Sequence, residues 1–335
     1  MPKIMTNKIR CRYSLLGLCW LLLAATGSAN DLNALFGSRF AVMDQQARSN
    51  VLAGLDAEIH HNPTNYVYQM QKATVLIQTG QFDAALLVCD NLIQNYNKDL
   101  GLSLRGYAYY GREDYDKAVF DFTEVLHARP VADIYLVRGR AYEFTGDYQS
   151  ALGDYGNVIK LNGNDSRAYY YRSGCYVYFG KINNAISDLS QALQLSSVKP
   201  ATVFAERGEL YFLKGDYARA MADYDQALRL DPNCVEALNN YAWLLAVCPD
   251  PQIRKGQKSV EYATKVCKLI LWKDPNCLAT LAAACAEAGD YAAAVEWQTK
   301  AIKGGAPDGS LKTAGQILQL YNQHKPYRVQ PLVSN

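Results

Sequence analysis

The chain has 335 residues, half of them apolar and 20% charged, which supplies a sizeable core and excludes wholesale disorder. Its formal net charge of +2 comes from one end: residues 1–29 hold four basic and no acidic residues, leaving 34 − 4 = 30 basic against 32 acidic, or −2. A near-neutral body lacks the basic face of a nucleic-acid binder, so no nucleic-acid partner is expected.

Lys3, Lys8, Arg10 and Arg12 precede an apolar run from Tyr13 to Ala25, and Gly27-Ser28-Ala29 follows with small residues where a signal peptidase cuts. That order predicts a secretory signal peptide over 1–29, because the run is short for a membrane span. The mature chain is then exported, periplasmic or secreted, with no stable span; an uncleaved anchor is the alternative. A lipoprotein is excluded by Cys19, which follows Leu18 inside the apolar run. Beyond this segment lie Cys89, Cys175, Cys234, Cys248, Cys267, Cys277 and Cys285, none in a CxxC pair, so no zinc or redox motif is written. Cys89, Cys267 and Cys285 read as small core residues on helices. A Cys248–Cys267 or Cys234–Cys277 bridge is the alternative in an oxidising compartment.

Residues 30–65 read as an N-terminal cap or degenerate repeat. Val51–His60 forms a helix stopped by Asn62-Pro63, and a partly helical Asp31–Arg48 carries Phe36 and Phe40 as a cover. From Tyr66 a turn signature returns: Gly80-Gln81-Phe82 with Ala85, Glu113-Asp114-Tyr115 with Ala118, and Gly146-Asp147-Tyr148 with Ala151. It continues as Gly180-Lys181-Ile182 with Ala185, Gly215-Asp216-Tyr217 with Ala220, and Gly289-Asp290-Tyr291 with Ala294. The spacings are 33, 33, 34, 35 and 74 residues. A fixed period marks a repeat architecture, and the last gap holds one further repeat. Its helices are predicted at Val235–Val247 and Gly256–Trp272, with an insertion at 248–257 and a stop at Asp274-Pro275-Asn276. The array spans 66–303. Residues 304–335 supply a linker, a capping helix at Leu311–Tyr321, and an extended tail from His324 to Asn335.

The fullest copy is 201–234, ATVFAERGELYFLKGDYARAMADYDQALRLDPNC. Phe204, Arg207, Gly208 and Tyr211 share one helical face. Lys214-Gly215-Asp216 makes the turn. Tyr217, Ala220, Met221, Tyr224, Ala227 and Leu228 form a second apolar stripe, which Asp231-Pro232 ends. This small/large/aromatic/proline pattern resembles the tetratricopeptide repeat. The segments AWLLAVCPDP and LYNQHKPYR resemble pieces that recur in exported bacterial members. The resemblance implies an all-α, right-handed α-solenoid of about seven helix-turn-helix repeats with helical caps, first helices lining the concave face.

On that concave face the helical phase places Thr74, Ile77, Ser103, Tyr107, Tyr110, Leu136, Arg140, Glu143, Tyr170, Tyr171, Val177, Tyr178, Glu206, Glu209, Phe212, Asn239 and Trp243. Of these, Tyr107, Tyr110, Leu136, Arg140, Tyr170, Tyr171, Tyr178, Phe212 and Trp243 are expected to bind a partner. The 25 tyrosines against 9 phenylalanines suit such an aromatic trough, since the ring gives broad contact at low rotamer cost. Some relatives clamp a terminal carboxylate with paired lysines and asparagines; the comparable places here hold Thr74, Tyr107 and Arg140. Four pairs lie 16 residues apart: Arg105/Asp121, Arg138/Asp154, Arg172/Asp188 and Arg207/Asp223. Each is expected to form a mostly buried structural salt bridge within its repeat or to the next.

His60, His61, His127 and His324 form no ligand cluster, and no phosphate loop or nucleophile elbow is present. Glu206 and Glu209 read as solvated groove charges. No catalytic residue, metal or cofactor is expected. The expected function is a non-enzymatic adaptor holding a peptide or helix of a protein partner, in envelope assembly or secretion. The alternatives are a homo-oligomeric, self-assembling structural component and a glycan or small-molecule binder.

Overall fold

The computed structural model describes residues 45–195, 199–305 and 311–329. The expected signal peptide, Phe36, Phe40 and the last six residues lie outside them. The described residues form sixteen helices and no strand. In chain order these are α1 (Gln45–His61), α2 (Tyr66–Gln78), α3 (Phe82–Asn95), α4 (Lys98–Gly111), α5 (Tyr115–Ala128), α6 (Ala132–Thr145), α7 (Tyr148–Leu161) and α8 (Ser166–Tyr178). They continue as α9 (Ile182–Leu195), α10 (Pro200–Leu213), α11 (Tyr217–Leu230), α12 (Val235–Val247), α13 (Gly256–Leu269), α14 (Pro275–Glu287), α15 (Tyr291–Lys303) and α16 (Leu311–Asn322). Seven first-and-second helix pairs, α2/α3 through α14/α15, run in sequence between α1 and α16, the all-α solenoid class.

Local chemistry fixes the helix ends. Asn65, Asn97, Asp147, Asp216, Asp274 and Asp290 cap the helices that follow them, each side chain accepting a first-turn N–H. Pro200 and Pro275 sit in the first turn, where a missing N–H costs nothing. First helices other than α12 stop on a left-handed residue whose successor bonds back five residues, as Asp216 N–H does to Tyr211 O at 2.9 Å. The helix expected to reach Trp272 ends at Leu269, because Leu271 and Trp272 both take positive φ. Asp274-Pro275-Asn276 opens α14 rather than closing α13.

Two compact units divide the chain, one through Cys175 and one from Tyr176. In the first, α4 packs on α5 and α6 on α7, and α3 and α5 bridge to the next first helix. Its core runs through Ala73, Cys89, Tyr107, Phe122, Val125, Tyr155 and Val158. In the second, α10/α11, α12/α13 and α14/α15 pair, and the first helices α10, α12 and α14 also stack on one another. Gly208 shows why the pairs are this close: a Cβ there would stand 2.7 Å from the Tyr224 ring. α16 closes the last pair with Tyr321, 1% exposed. All seven cysteines of 45–329 are buried and none is in a disulfide, so neither the Cys248–Cys267 nor the Cys234–Cys277 bridge forms. Burial pushes the Cys89 thiol up to about 12 and the Cys285 thiol to about 11, leaving both as inert core groups.

Candidate functional site

Buried arginine–aspartate pairs set the frame. Arg105 donates from Nε and Nη2 to Asp121 at 2.8 Å each, and Arg138 does the same to Asp154. Arg207 reaches Asp223 at 2.8 and 2.7 Å. The three carboxylates are buried. Hydrogen bonding to Asp223 holds the Arg207 guanidinium above its ordinary range against the cost of burial. The remaining Nη1 reaches back to the preceding helix: to Asp90 at 2.8 Å, Thr123 Oγ1 at 2.9 Å and Ser190 Oγ at 2.9 Å. One side chain therefore ties its own hairpin to the one before it. Of the fourth pair, Arg172 lies over the Tyr169 ring at 5.6 Å and Asp188 is buried.

Aromatic rings bracket Arg138 and Arg207 three residues before and four after on the same helix. Arg138 sits 5.5 Å from Tyr135 and 5.6 Å from Tyr142, and Arg207 is 5.4 Å from Phe204 and 5.9 Å from Tyr211. At those offsets the side chains share a face, and a guanidinium over a ring face gains cation–π attraction. Much of the tyrosine excess is accounted for here, in arginine brackets and core, rather than in an open trough.

The expected partner-facing residues divide by burial. Tyr107, at 0% exposure, lies edge-on to Phe122 at 5.3 Å and belongs to the core. Leu136, Tyr170 and Arg140 are buried as well. These four do not line an open face: Tyr107 packs on Phe122 of the paired helix α5, and Arg140 lies against Glu143 and the Tyr171 ring. Ile77 and Ser103 are covered likewise. Tyr110, Tyr171, Phe212 and Trp243 are half-buried, and Tyr178 is 45% exposed. Glu209 accepts from Asn240 Nδ2 at 3.2 Å across α10 and α12, an inter-repeat tie.

Around Arg140 the N-terminal unit gathers a closed polar cluster. Arg140 Nε stands 3.1 Å from Glu143 Oε2, and its guanidinium lies 4.3 Å from the centre of the Tyr171 ring. Cys175 Sγ lies 3.7 Å from Glu143 Oε1. Tyr115 and Phe144 stack at 4.5 Å, with Tyr110 edge-on to both. Burial raises the Glu143 carboxyl to about 7, opposed by Arg140.

The C-terminal unit covers its first helices differently. After α16 a turn with His324 at φ 58° releases an extended segment, which crosses α12 and α14. Val329 N–H bonds Val247 O at 3.1 Å, Arg328 Nη1 reaches Ala246 O at 3.1 Å, and Arg328 Nη2 reaches Glu287 Oε2 at 2.5 Å. The Tyr327 ring lies 6.0 Å from Trp243. Ala246, Val247, Ala283, Phe212, Trp243, Tyr327 and Val329 form one apolar cluster. From the insertion, Arg254 bonds Glu287 Oε1 at 3.1 Å and the carbonyls of Cys248 and Pro249 at 2.9 and 3.0 Å. The segments AWLLAVCPDP and LYNQHKPYR thus meet in space. Their joint resemblance to recurring pieces was the one sequence signal for this site, while Glu287 and Arg254 carried none.

Tetratricopeptide-repeat models match residues 201–234, 103–169 and 136–200. The chain is a tetratricopeptide repeat protein. Human tetratricopeptide repeat protein 13 is 33% identical over 144 residues, 41% of this chain and 16% of its own length. Human DnaJ homolog subfamily C member 3 is 23% identical over 235 residues, 65% of this chain and 45% of its own. The repeat protein therefore spans less than half the length of these two relatives. The crystal structure of the APC/C hetero-tetramer Cut9-Hcn1 matches its fold with a TM-score of 0.57 at 16% identity, over 82% of this chain and 52% of that one. Tetratricopeptide arrays present extended surfaces to protein partners, which places this protein in the class of interaction scaffolds. Among the described residues no helix is long and apolar enough to cross a membrane, and no three His, Cys, Asp or Glu side chains are grouped to hold a metal.

Proposed function

We propose that this tetratricopeptide protein is a non-enzymatic adaptor that holds a peptide or helix of a partner protein against its first helices, in envelope assembly or secretion. The observation that carries the reading is that each unit leaves aromatics half-buried or exposed on its first helices, Tyr110 and Tyr171 in the N-terminal unit and Tyr178, Phe212 and Trp243 in the C-terminal one. Tyr110 and Phe212 stand on hairpins locked by the Arg105–Asp121 and Arg207–Asp223 pairs, so their contact area is presented with little left to order on binding. A relative in wheat is an Hsp70-Hsp90 organizing protein, 23% identical over 51% of this chain. Thr74, Tyr107 and Arg140 stand where a lysine–asparagine carboxylate clamp would be, so the partner is gripped by aromatic contact rather than by its C-terminal carboxylate.

Crosslinking in envelope fractions, followed by identification of what is captured, tests the reading. Tyr178→Ala, at the most exposed of these rings, is expected to lower capture severalfold without unfolding the chain. Tyr107 and Tyr170 are unsuitable, since truncating them opens the core. Undiminished capture would remove the aromatic face from consideration, and absence of the protein from envelope and medium would remove the compartment.

A further inference from the structure

The tail crossing α12 and α14 is bound in the manner of a ligand. Its receptor offers acceptors only: the Ala246 and Val247 carbonyls at the C-terminal end of α12, and the Glu287 carboxylate in the last turn of α14. Helix C-termini carry partial negative charge, and Glu287 adds a full one. Arg254 engages one Glu287 oxygen and leaves the other to Arg328. Beside these acceptors, Trp243, Phe212, Ala246 and Ala283 take one ring and one aliphatic side chain. What fits is an extended strand reading aromatic–arginine–aliphatic, met here by Tyr327-Arg328-Val329.

Little in the tail is particular to this chain. The Val329 contact is a backbone hydrogen bond that any extended segment reproduces. The three tail residues remain half-buried rather than buried, and Asn322–Lys325 is exposed. Tyr321, on α16 before the turn, is 1% exposed in the core cluster of the last repeats, while Tyr327 packs on that cluster only from its partly buried margin. The tail leaves α16 through the exposed turn at Gln323–Lys325, in which His324 lies edge-on to Tyr291 at 5.1 Å.

We propose that the α12/α14 face is a receptor for an extended partner segment carrying an aromatic–arginine–aliphatic triplet, and that residues 327–329 are its resident occupant, displaced when the partner binds. This deepens the adaptor reading by assigning a site and a ligand class. It is separable from that reading, because capture through Tyr178 of α8, which lies outside this cluster, would survive its failure.

The probe is the acetylated, amidated hexapeptide Lys-Pro-Phe-Arg-Ile-Gln, labelled and followed by fluorescence anisotropy against the full chain. Arg328→Glu, which detaches the resident arginine, is expected to bind it at least about tenfold more tightly than wild type, since an intramolecular competitor acts at high effective concentration. The same peptide with glutamate for arginine is expected not to bind. Equal affinity for both chains, or for both peptides, overturns the proposal. Should Arg328→Glu fail to fold, wild type decides alone: excess peptide is expected to speed deuterium uptake over residues 325–329 severalfold, and unchanged uptake marks a permanent seal. A wild-type dimer in light scattering that falls apart in Arg328→Glu would give the face to a second copy of the chain and overturn the proposal equally.

Discussion

Glu143 and Glu287 stand near the ends of first helices in different units and are about equally buried, with side chains 12% and 15% exposed. Glu143 meets one arginine, three residues earlier on its own helix, and that arginine is stacked on Tyr171. Glu287 meets two, both from outside the regular repeat: Arg254 of the insertion and Arg328 of the tail. A helix-hairpin repeat can therefore cover its inner face with its own aromatic side chains, which cannot leave, or with a separate strand, which can. The first solution traps a carboxyl among rings; the second creates an exchangeable arginine site.

The strongest way to sharpen that contrast is to show that it does not lie in the frame the units share. Asp154→Ala and Asp223→Ala each strand a largely buried guanidinium that had two short bonds. Each is expected to lower stability by about 3–5 kcal/mol in chemical denaturation. A loss below about 1 kcal/mol in one unit and not the other would place the difference in the frame after all.

The next effect belongs to the N-terminal unit alone. With its carboxyl raised from 4.5 to about 7, folded Glu143 holds its proton more tightly than the unfolded chain does. Its contribution therefore falls as pH rises from about 4.5 to about 7 and is flat above, a loss of roughly 3 kcal/mol. Glu143→Gln, a neutral mimic, is expected to lack this slope and to gain on wild type towards pH 8. Parallel stability–pH curves for the two proteins would show that Arg140 keeps Glu143 ionised throughout.

What was legible in advance follows the range of the interactions. The period, the helix stops and the array came from residues whose partners are one turn or one hairpin away, such as Gly215 and the Arg/Asp spacing of 16 residues. Tyr107 was misplaced because a helical phase names a face without saying how near the next helix lies. Here the Phe122 ring of the paired helix, 5.3 Å away, puts Tyr107 in the core. The brackets around Arg138 and Arg207 were written at three- and four-residue offsets and could have been read, since each arginine repeats them. The Glu287 site had no such regularity: Arg328 and Ala246 are 82 residues apart, and only their meeting in space makes either informative.

The smallest expected effect tests the turn that both units share. At the end of α4, Glu113 holds φ 67° where the corresponding turn of the C-terminal unit has Gly215 at 76°. A left-handed backbone brings Cβ towards the following carbonyl and costs about 1–2 kcal/mol for an ordinary residue. Replacing it with glycine returns part of that gain as unfolded-chain entropy, about 0.4–1 kcal/mol. Glu113→Gly is thus expected to raise stability by roughly 0.5–1 kcal/mol, and Gly215→Glu to lower it by a similar amount. Glu113 is exposed and its backbone N–H bonds Tyr110 O at 3.1 Å, a bond that glycine keeps. If Glu113→Gly destabilises, the side chain itself must hold the turn, setting it apart from the glycine turns at Gly80 and Gly146 of its own unit as well as from Gly215.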